Sequence, residues 1–286
     1  MIAGTVRSSA DSRFSRGGVA DSPHLTPATL PKDDAALLTD PFFYLVATAA
    51  VIVVGLAKGG FAGIGILAVP LMALAVPPVQ AAAILLPILI VQDVVGVWAF
   101  RRTWDAANLK LLIPAATVGI ALAYAFAAMV SDAAVALAVG LVSVAFGAWR
   151  LVGASADLTP RPGNRLFGAV CGVAAGFTST ISHAGGPPFQ IYMLPQRLER
   201  DRFIGTSAIF FAAINWLKVP AYAGLGEFTR ENLLTALAMM PVAIVATFAG
   251  VRLVRRLSGE RFYGVIHVLL ILVGLKLVGD GLGLWS

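Results

Sequence analysis

The chain has 286 residues, of which 58% are hydrophobic and only 13% are charged, and its mean hydropathy is +0.85. A soluble domain has about a quarter of its residues charged, so this composition excludes a water-soluble globule. The net charge of +6 does not indicate nucleic-acid binding, because the basic residues lie in short clusters between apolar segments. We therefore predict an all-α polytopic membrane protein whose solvent is the lipid bilayer.

Residues 1–41 are rich in Ser, Pro, Asp and Gly and are predicted to form a disordered N-terminal tail. Ten apolar segments follow, and several are runs of about 20 residues, the length that spans the hydrocarbon core. The segments are 42–57, 64–76, 79–100, 109–130, 133–149, 166–181, 187–195, 203–222, 233–251 and 261–284. Segments 64–76 and 187–195 are too short to cross alone, because a helix rises only about 1.5 Å per residue.

Each short segment follows a glycine-rich interruption. The first interruption runs from Lys58 to Gly65, and the second runs from Ser179 to Pro188. Clustered glycines are unfavourable inside a helix, so the preceding helix is expected to end there. We therefore predict that each short segment and the segment before it form a broken, re-entrant helical hairpin.

The distribution of Lys and Arg orients these elements, because basic links stay in the cytoplasm. The basic links are 101–110, 150–165, 197–202 and 252–261. Segments 166–195 lie between two of these links, so this stretch is expected to enter the membrane and return to the same side. By analogy, 42–76 forms a hairpin that enters from the outside.

Each half of the chain then contains one hairpin and three transmembrane helices, and an odd number of spans inverts the second half. The predicted domains are a first repeat at 42–152, a cytoplasmic linker at 153–165 and a second repeat at 166–286, with both termini periplasmic. Setting Gln92 against Asn215 also brings Ala83 opposite Thr206, which supports a duplication. Inverted repeats with broken helices recur in transporters, with the substrate at their junction.

The two interruptions and the segment after the second one carry a recognisable series of motifs. In chain order these are Gly59-Gly60-Phe61-Ala62-Gly63-Ile64-Gly65, Val69-Pro70, Gly176-Phe177, Gly185-Gly186-Pro187, Gly205-Thr206-Ser207 and Asn215-Trp216-Leu217-Lys218. This series resembles the TauE/SafE family of sulfite and organosulfonate exporters over about 42–284. The resemblance implies export of sulfite, sulfoacetate or a related sulfur anion across the bacterial inner membrane. Phe61, Ala62, Ile64 and His183 depart from the family pattern and leave the substrate open.

The helix starts after the two interruptions are candidate anion sites, because free N–H groups and the positive end of the helix dipole favour an oxyanion. Gly63 and Gly65 belong to the first interruption, and Gly185 and Gly186 to the second. The alternative is that these glycines only allow close helix packing. Lys58, at the first interruption, either attracts the anion directly or pairs with a structural carboxylate.

Hydroxyl and imidazole groups accompany the second interruption. Ser182 is one of four hydroxyl residues there, although serine in a membrane helix often bonds to its own backbone. His183 either donates to the anion, titrates during transport, or is bonded structurally at the helix break.

A polar stripe follows one face of segment 203–222. Its members recur every three or four residues and are Ser207, Phe211, Asn215, Lys218 and Tyr222. Asn215 and its counterpart Gln92 form a predicted pair of amide donors, with interhelical hydrogen bonding as the alternative role. Thr206 joins the predicted substrate-binding set, and Asp93 either accepts a coupling proton, as His183 also can, or neutralises Lys58 or Lys218.

The lead hypothesis is a secondary transporter that exports a small sulfur-containing oxyanion by alternating access. We expect no cofactor, no metal and no ATP hydrolysis, since no Gly-rich Lys-Ser/Thr nucleotide motif is present. The alternatives are a non-transporting membrane assembly or sensor protein and, less favoured by the scarcity of histidine, an intramembrane enzyme. The expected partners are a small anion and lipid, and a homodimer is left open.

Overall fold

The computed structural model describes residues 40–58, 64–127, 129–153, 163–254 and 260–284. All regular structure within these ranges is helical, as the composition predicts. The α-helices are α1 (Pro41–Lys58), α2 (Ala68–Met72), α3 (Pro78–Phe100), α4 (Ala106–Ala127), α5 (Asp132–Gly153), α6 (Arg165–Ser182), α7 (Gly186–Met193), α8 (Arg200–Gly224), α9 (Arg230–Val254) and α10 (Glu260–Gly281). Short 3₁₀ turns at Ile64–Leu67 and Leu194–Gln196 adjoin α2 and α7.

Among the described residues, six helices are long and apolar enough to cross a membrane: α1, α3, α4, α5, α8 and α9. Large apolar side chains on their outer faces, including Val94, Leu141 and Phe248, are exposed to the surrounding solvent. In a protein with this composition that solvent is lipid. The prediction of an all-α polytopic membrane protein is therefore confirmed.

The predicted segments correspond to these helices with small changes at their ends. The helical part of 64–76 ends at Met72 and is followed by a turn. Segment 203–222 is extended at both ends and becomes Arg200–Gly224. The predicted tail extends to residue 41, but Pro41 is the first residue of α1, while residues 1–39 and most of the linker at 153–165 lie outside the described residues.

The second interruption ends one helix and begins another. His183 terminates α6 in the left-handed conformation, with φ of 52°, and Gly185 precedes the first residue of α7. Pro187 lies in the first turn of α7, where a missing N–H costs little. Gly163, before α6, lies beside Tyr192 at the end of α7, since a Cβ built on it would be 2.6 Å from the tyrosine oxygen. The chain therefore enters and leaves this hairpin at the same end.

The main helix pairs each join a helix of the first half of the chain to a helix of the second half. The main partners are α5 with α10, α4 with α6, α1 with α9, α3 with α9, and α3 with α8. Glycines permit the closest approaches, because a Cβ on Gly176 would overlap the carbonyl oxygen of Ala116, and one on Gly250 would lie 2.8 Å from Cα of Leu56. Such pairing between the halves is consistent with two related repeats. The inverted repeat itself stays a prediction.

Polar links gather at the two ends of the bundle. At one end Gln80 donates to Asn232 at 3.2 Å, and the carboxylate of Asp132 lies near that of Glu227. At the other end Arg202 pairs with Asp105 at 2.7 Å. The links 101–110 and 197–202, which the sequence assigns to the same side of the membrane, are therefore neighbours in space.

Glu227, in the loop between α8 and α9, gives a pH-dependent prediction. Burial, and to a lesser degree the nearby Asp132 carboxylate, raises the pKa of Glu227 above its ordinary value. A carboxyl group with a raised folded-state pKa stabilises the fold at low pH and loses that contribution as the pH rises through it. The Glu227→Gln protein should therefore unfold at a higher temperature than the parent at pH 7, by about 1–2 °C.

The same comparison at pH 4, where the parent carboxyl is protonated, should show no difference in unfolding temperature. Asp132→Asn serves as the control. It removes only the smaller cause of the raised pKa of Glu227, so it should raise the unfolding temperature at pH 7 by less than Glu227→Gln does. A difference that is equal at both pH values would contradict this account.

Candidate functional site

A cavity of about 100 Å³ lies where the two broken hairpins meet α3 and α8. This volume is several times the space that one water molecule needs. Its polar lining comes from Lys58, Gly65, Ser179, His183, Gly186, Gln190, Ser207 and Asn215. Its apolar lining includes Leu85, Leu89, Phe189, Ile204 and Phe211. Both interruptions and the polar stripe therefore contribute to one site.

Lys58 reaches this cavity from the last residue of α1. Its ammonium group forms an ion pair with Oδ1 of Asp93 on α3 and lies 5.5 Å from the ring centre of Phe211. Asn215 on α8 donates to the other carboxylate oxygen of Asp93 at 2.6 Å. The side chain of Asp93 is 2% exposed and that of Lys58 is 12% exposed. Asp93 thus contacts both Lys58 and Asn215 without lining the cavity itself, whereas Lys58 and Asn215 both line it.

A second lysine, Lys218, lies behind the residues that line the cavity. Lys218 is completely buried, and its Nζ is 3.1 Å from both the carbonyl oxygen and the hydroxyl of Ser179. The same Nζ is 2.7 Å from Nδ1 of His183, whose Nε2 is 2.8 Å from the carbonyl oxygen of Ala82. A carbonyl only accepts, so Nε2 carries the proton and Nδ1 accepts from the lysine. His183 is therefore a neutral bridge between Lys218 and α3.

Tyr222 closes the site next to this second lysine. Its hydroxyl donates to the carbonyl oxygen of Thr180 at 2.6 Å, and its ring is parallel to that of His183, with centroids 6.3 Å apart. On its other side the ring is stacked against Phe228, 6.2 Å away. These contacts bury the cluster on the side of the 224–232 link.

The cluster contains two lysines and one carboxylate. Asp93 pairs with Lys58, whereas the contacts of Lys218 are with Ser179 and His183, which are neutral acceptors. With Lys218 protonated and His183 neutral, the cluster has one net positive charge beside a small cavity. Coulomb interactions are strong where water is excluded, so this arrangement attracts an anion.

The structure brings together much of the predicted substrate-binding set. The members that line the cavity are Lys58, Gly65, His183, Gly186 and Asn215. Lys218 contacts two lining residues, and Asp93 also contacts two. Gly63 lies outside the described residues.

Four predicted residues lie away from the cavity. Gln92 donates to the carbonyl oxygens of Val51 and Ala243, at 3.3 and 3.5 Å. The hydroxyls of Ser182 and Thr206 donate to carbonyl oxygens one turn earlier in their own helices. A Cβ on Gly185 would lie 2.8 Å from the carbonyl oxygen of Ala175. The bonds and close packing of all four are structural.

The sequence prediction included Gly186 of α7 but missed Phe189 and Gln190. All three line the cavity and are spaced as one face of a helix. Phe189 packs against the ring of Phe211, with centroids 5.3 Å apart. The i, i+3, i+4 spacing after the glycines was the available signal, although a helix of eight residues is too short for a clear periodicity.

The fold and this cluster define a class: a multi-pass helical membrane protein with a positively charged cavity between broken helices. A family model described as sulfite exporter TauE/SafE matches residues 47–277. The chain therefore belongs to the TauE/SafE family, whose members are membrane transporters of the sulfite and sulfonate exporter type and not enzymes. No curated protein and no solved structure matched the chain.

Asp93 is predicted to hold Lys58 in place rather than merely to neutralise it. Asp93→Asn leaves a nearly buried ammonium without its carboxylate, a change that costs about 3–5 kcal/mol in proteins. We expect the thermal unfolding midpoint in detergent to fall by 5 °C or more. The double variant Lys58→Met/Asp93→Leu removes both charges and should recover most of that loss. A stable single variant would contradict the role given to Asp93.

Proposed function

We propose that this protein is a secondary transporter that exports a small sulfur-containing oxyanion across the bacterial inner membrane. The candidates are sulfite, sulfoacetate and related organosulfonates, and the central cavity is the substrate site. The observation that carries the proposal is a cavity lined by Lys58 and Asn215, with Lys218 one contact behind its wall. Membership of the TauE/SafE family supports the same substrate class.

The donors at the cavity match the chemistry of a sulfonate or sulfite group. An ammonium group has three N–H donors, of which Asp93 takes one at Lys58. Asn215 uses one amide hydrogen for Asp93 and retains another. Ser207 adds a hydroxyl, and the backbone at Gly186 is accessible because no side chain covers it.

The apolar part of the wall supports a substrate with a carbon chain. Leu85, Leu89, Phe189, Ile204 and Phe211 provide a surface that cannot bond to sulfonate oxygens. Apolar lining with a few placed polar groups is typical of sites for small organic ligands. An organosulfonate uses both surfaces, whereas sulfite uses only the polar one.

The membrane potential provides a driving force for export. An inside-negative potential favours an anion leaving the cell by about 2.3 kcal/mol per charge per 100 mV. Coupled proton movement is not needed for this direction. Asp93 and His183 both have bonded partners in the cluster, which supports roles in positioning the two lysines. Alternating access would then expose the cavity to each side in turn.

Transport assays with single variants test the site directly. Lys58→Ala, Asn215→Ala and Lys218→Ala should each lower the initial rate of sulfite or sulfonate counterflow in vesicles at least tenfold. The reason is that a hydrogen bond to a charged group contributes about 1.5–3 kcal/mol. Comparing sulfite, sulfoacetate, taurine and thiosulfate in the same vesicles identifies the substrate.

Lys276→Ala is the matched control, because this lysine pairs with Asp280 at 2.6 Å on the exposed part of α10. Its transport rate should equal that of the parent. Unchanged counterflow in all three site variants would show that the cavity is not the substrate site.

The topology has a separate test. With the basic links in the cytoplasm, both termini are expected in the periplasm. A C-terminal reporter that fluoresces only in the cytoplasm should therefore stay dark, and one that is active only in the periplasm should give a signal. Bright cytoplasmic fluorescence would overturn the inverted arrangement.

A further inference from the structure

A second cavity, of about 500 Å³, lies at the basic end of the bundle. Its wall combines the end of α3, the turn that follows it and the start of α8. Four charged residues line it: Arg101, Arg102, Arg200 and Asp201. We call this cavity the basic vestibule.

The vestibule has an excess of positive charge. Three guanidinium groups face one carboxylate, and all four side chains are exposed. The guanidinium of Arg101 lies over the ring of Trp98, 5.2 Å from its centre, and so stays at the rim. Arg102 has no ion-pair partner within the described part of the chain. Exposed charges act over a Debye length of about 8–10 Å, which covers a cavity of this size.

The wall of the vestibule is built of fixed contacts. A Cβ on Gly205 would overlap the carbonyl oxygen of Thr103, so α8 lies directly against the turn after α3. The hydroxyl of Thr206 accepts from the backbone N–H of Asp105 at 2.9 Å. The side chain of Asp105 pairs with Arg202. The start of α8 is therefore fastened to α3, and the vestibule is not a gap between loose loops.

The vestibule and the central cavity meet at Ile204, which lines both of them and is the one described residue to do so. Ile204 is buried. It lies on the same face of α8 as Arg200, Ser207, Phe211 and Asn215, which run from the vestibule into the central cavity. The path between the two cavities is thus interrupted by an apolar side chain.

We propose that the basic vestibule is a second anion site, which collects the substrate anion before it reaches the central cavity, and that Ile204 is the barrier between them. This inference rests on the proposed function for the identity of the anion. The guanidinium groups attract an anion without holding it, because they are exposed to water and screened by salt. The apolar barrier keeps the buried lysines away from bulk ions.

Charge-selective labelling tests the vestibule without measuring transport. Cys171 is the only cysteine, so Cys171→Ser gives a cysteine-free background. In that background Thr103→Cys places a thiol in the vestibule wall. With each rate divided by the rate of the same reagent with a small free thiol, an anionic sulfonatoethyl methanethiosulfonate should react with it about five times faster than a cationic trimethylammonium-ethyl methanethiosulfonate at low salt.

Arg102→Gln should reduce this preference at least twofold, Arg102→Lys should keep it, and 1 M salt should abolish it in all variants. Monodisperse elution in detergent verifies that each variant is folded. Equal relative rates for the two reagents, each taken against its rate with a free thiol, would overturn the vestibule as an anion site. A preference that Arg102→Gln leaves unchanged would do the same.

A second thiol tests the barrier. Ser207→Cys lies in the central cavity, beyond Ile204. Adding Ile204→Ala should speed its reaction with the anionic reagent at least fivefold, while the reaction of Thr103→Cys stays the same. If Ile204→Ala does not change the labelling of Ser207→Cys, Ile204 is not the barrier.

The two proposals fail in different ways. An anion preference in the vestibule together with unchanged counterflow in Lys58→Ala, Asn215→Ala and Lys218→Ala refutes the central substrate site and supports the vestibule. Loss of counterflow in Lys58→Ala without any anion preference in the vestibule refutes the vestibule and supports the central site.

Discussion

The structure depends on one constraint: an ammonium group in a membrane interior must have partners. Lys58 has the carboxylate of Asp93, and Lys218 has Ser179 and His183. These contacts join α1 to α3, and α8 to α6, because each partner lies on a different helix. An uncompensated charge would cost several kcal/mol, so the positions of four helices are set by two lysines. The cavity is the space that remains where these helices meet the interruptions.

The same constraint accounts for His183, which ends α6 in the left-handed conformation that favours glycine. A residue other than glycine in the left-handed conformation is unfavourable by about 1–2 kcal/mol. The side chain offsets this cost, because one ring nitrogen accepts from Lys218 and the other donates to Ala82. Glycine would fit the backbone better but would leave Lys218 with the acceptors of Ser179 alone. His183 therefore both ends α6 and supplies an acceptor to the buried Lys218.

The sequence was sufficient for much of this architecture. Clustered glycines end helices, and a short apolar segment cannot cross a bilayer, so both interruptions were predictable from local rules. The cluster of Lys58, His183 and Asn215 followed from their positions in those elements. Gln92 and Asp93 show where the reasoning stops, since they are adjacent and both buried. Asp93 contacts Lys58 and Asn215, whereas Gln92 faces Val51 and Ala243. The rotation of one helix against its neighbours decides between these roles, and no pattern within a single helix contains it.

A transport site must bind its anion firmly enough to attract it and weakly enough to release it. Asp93 limits the attraction of Lys58, because its carboxylate already occupies one of the three donors and lowers the net charge of the cluster. The contacts with Asn215 and Lys58 hold that carboxylate beside the cavity rather than in it. An anion entering the cavity therefore meets donors whose positions are fixed before it arrives. The conformational cost of ordering these donors is met when the protein folds. Binding therefore does not need two lysines without a neutralising carboxylate.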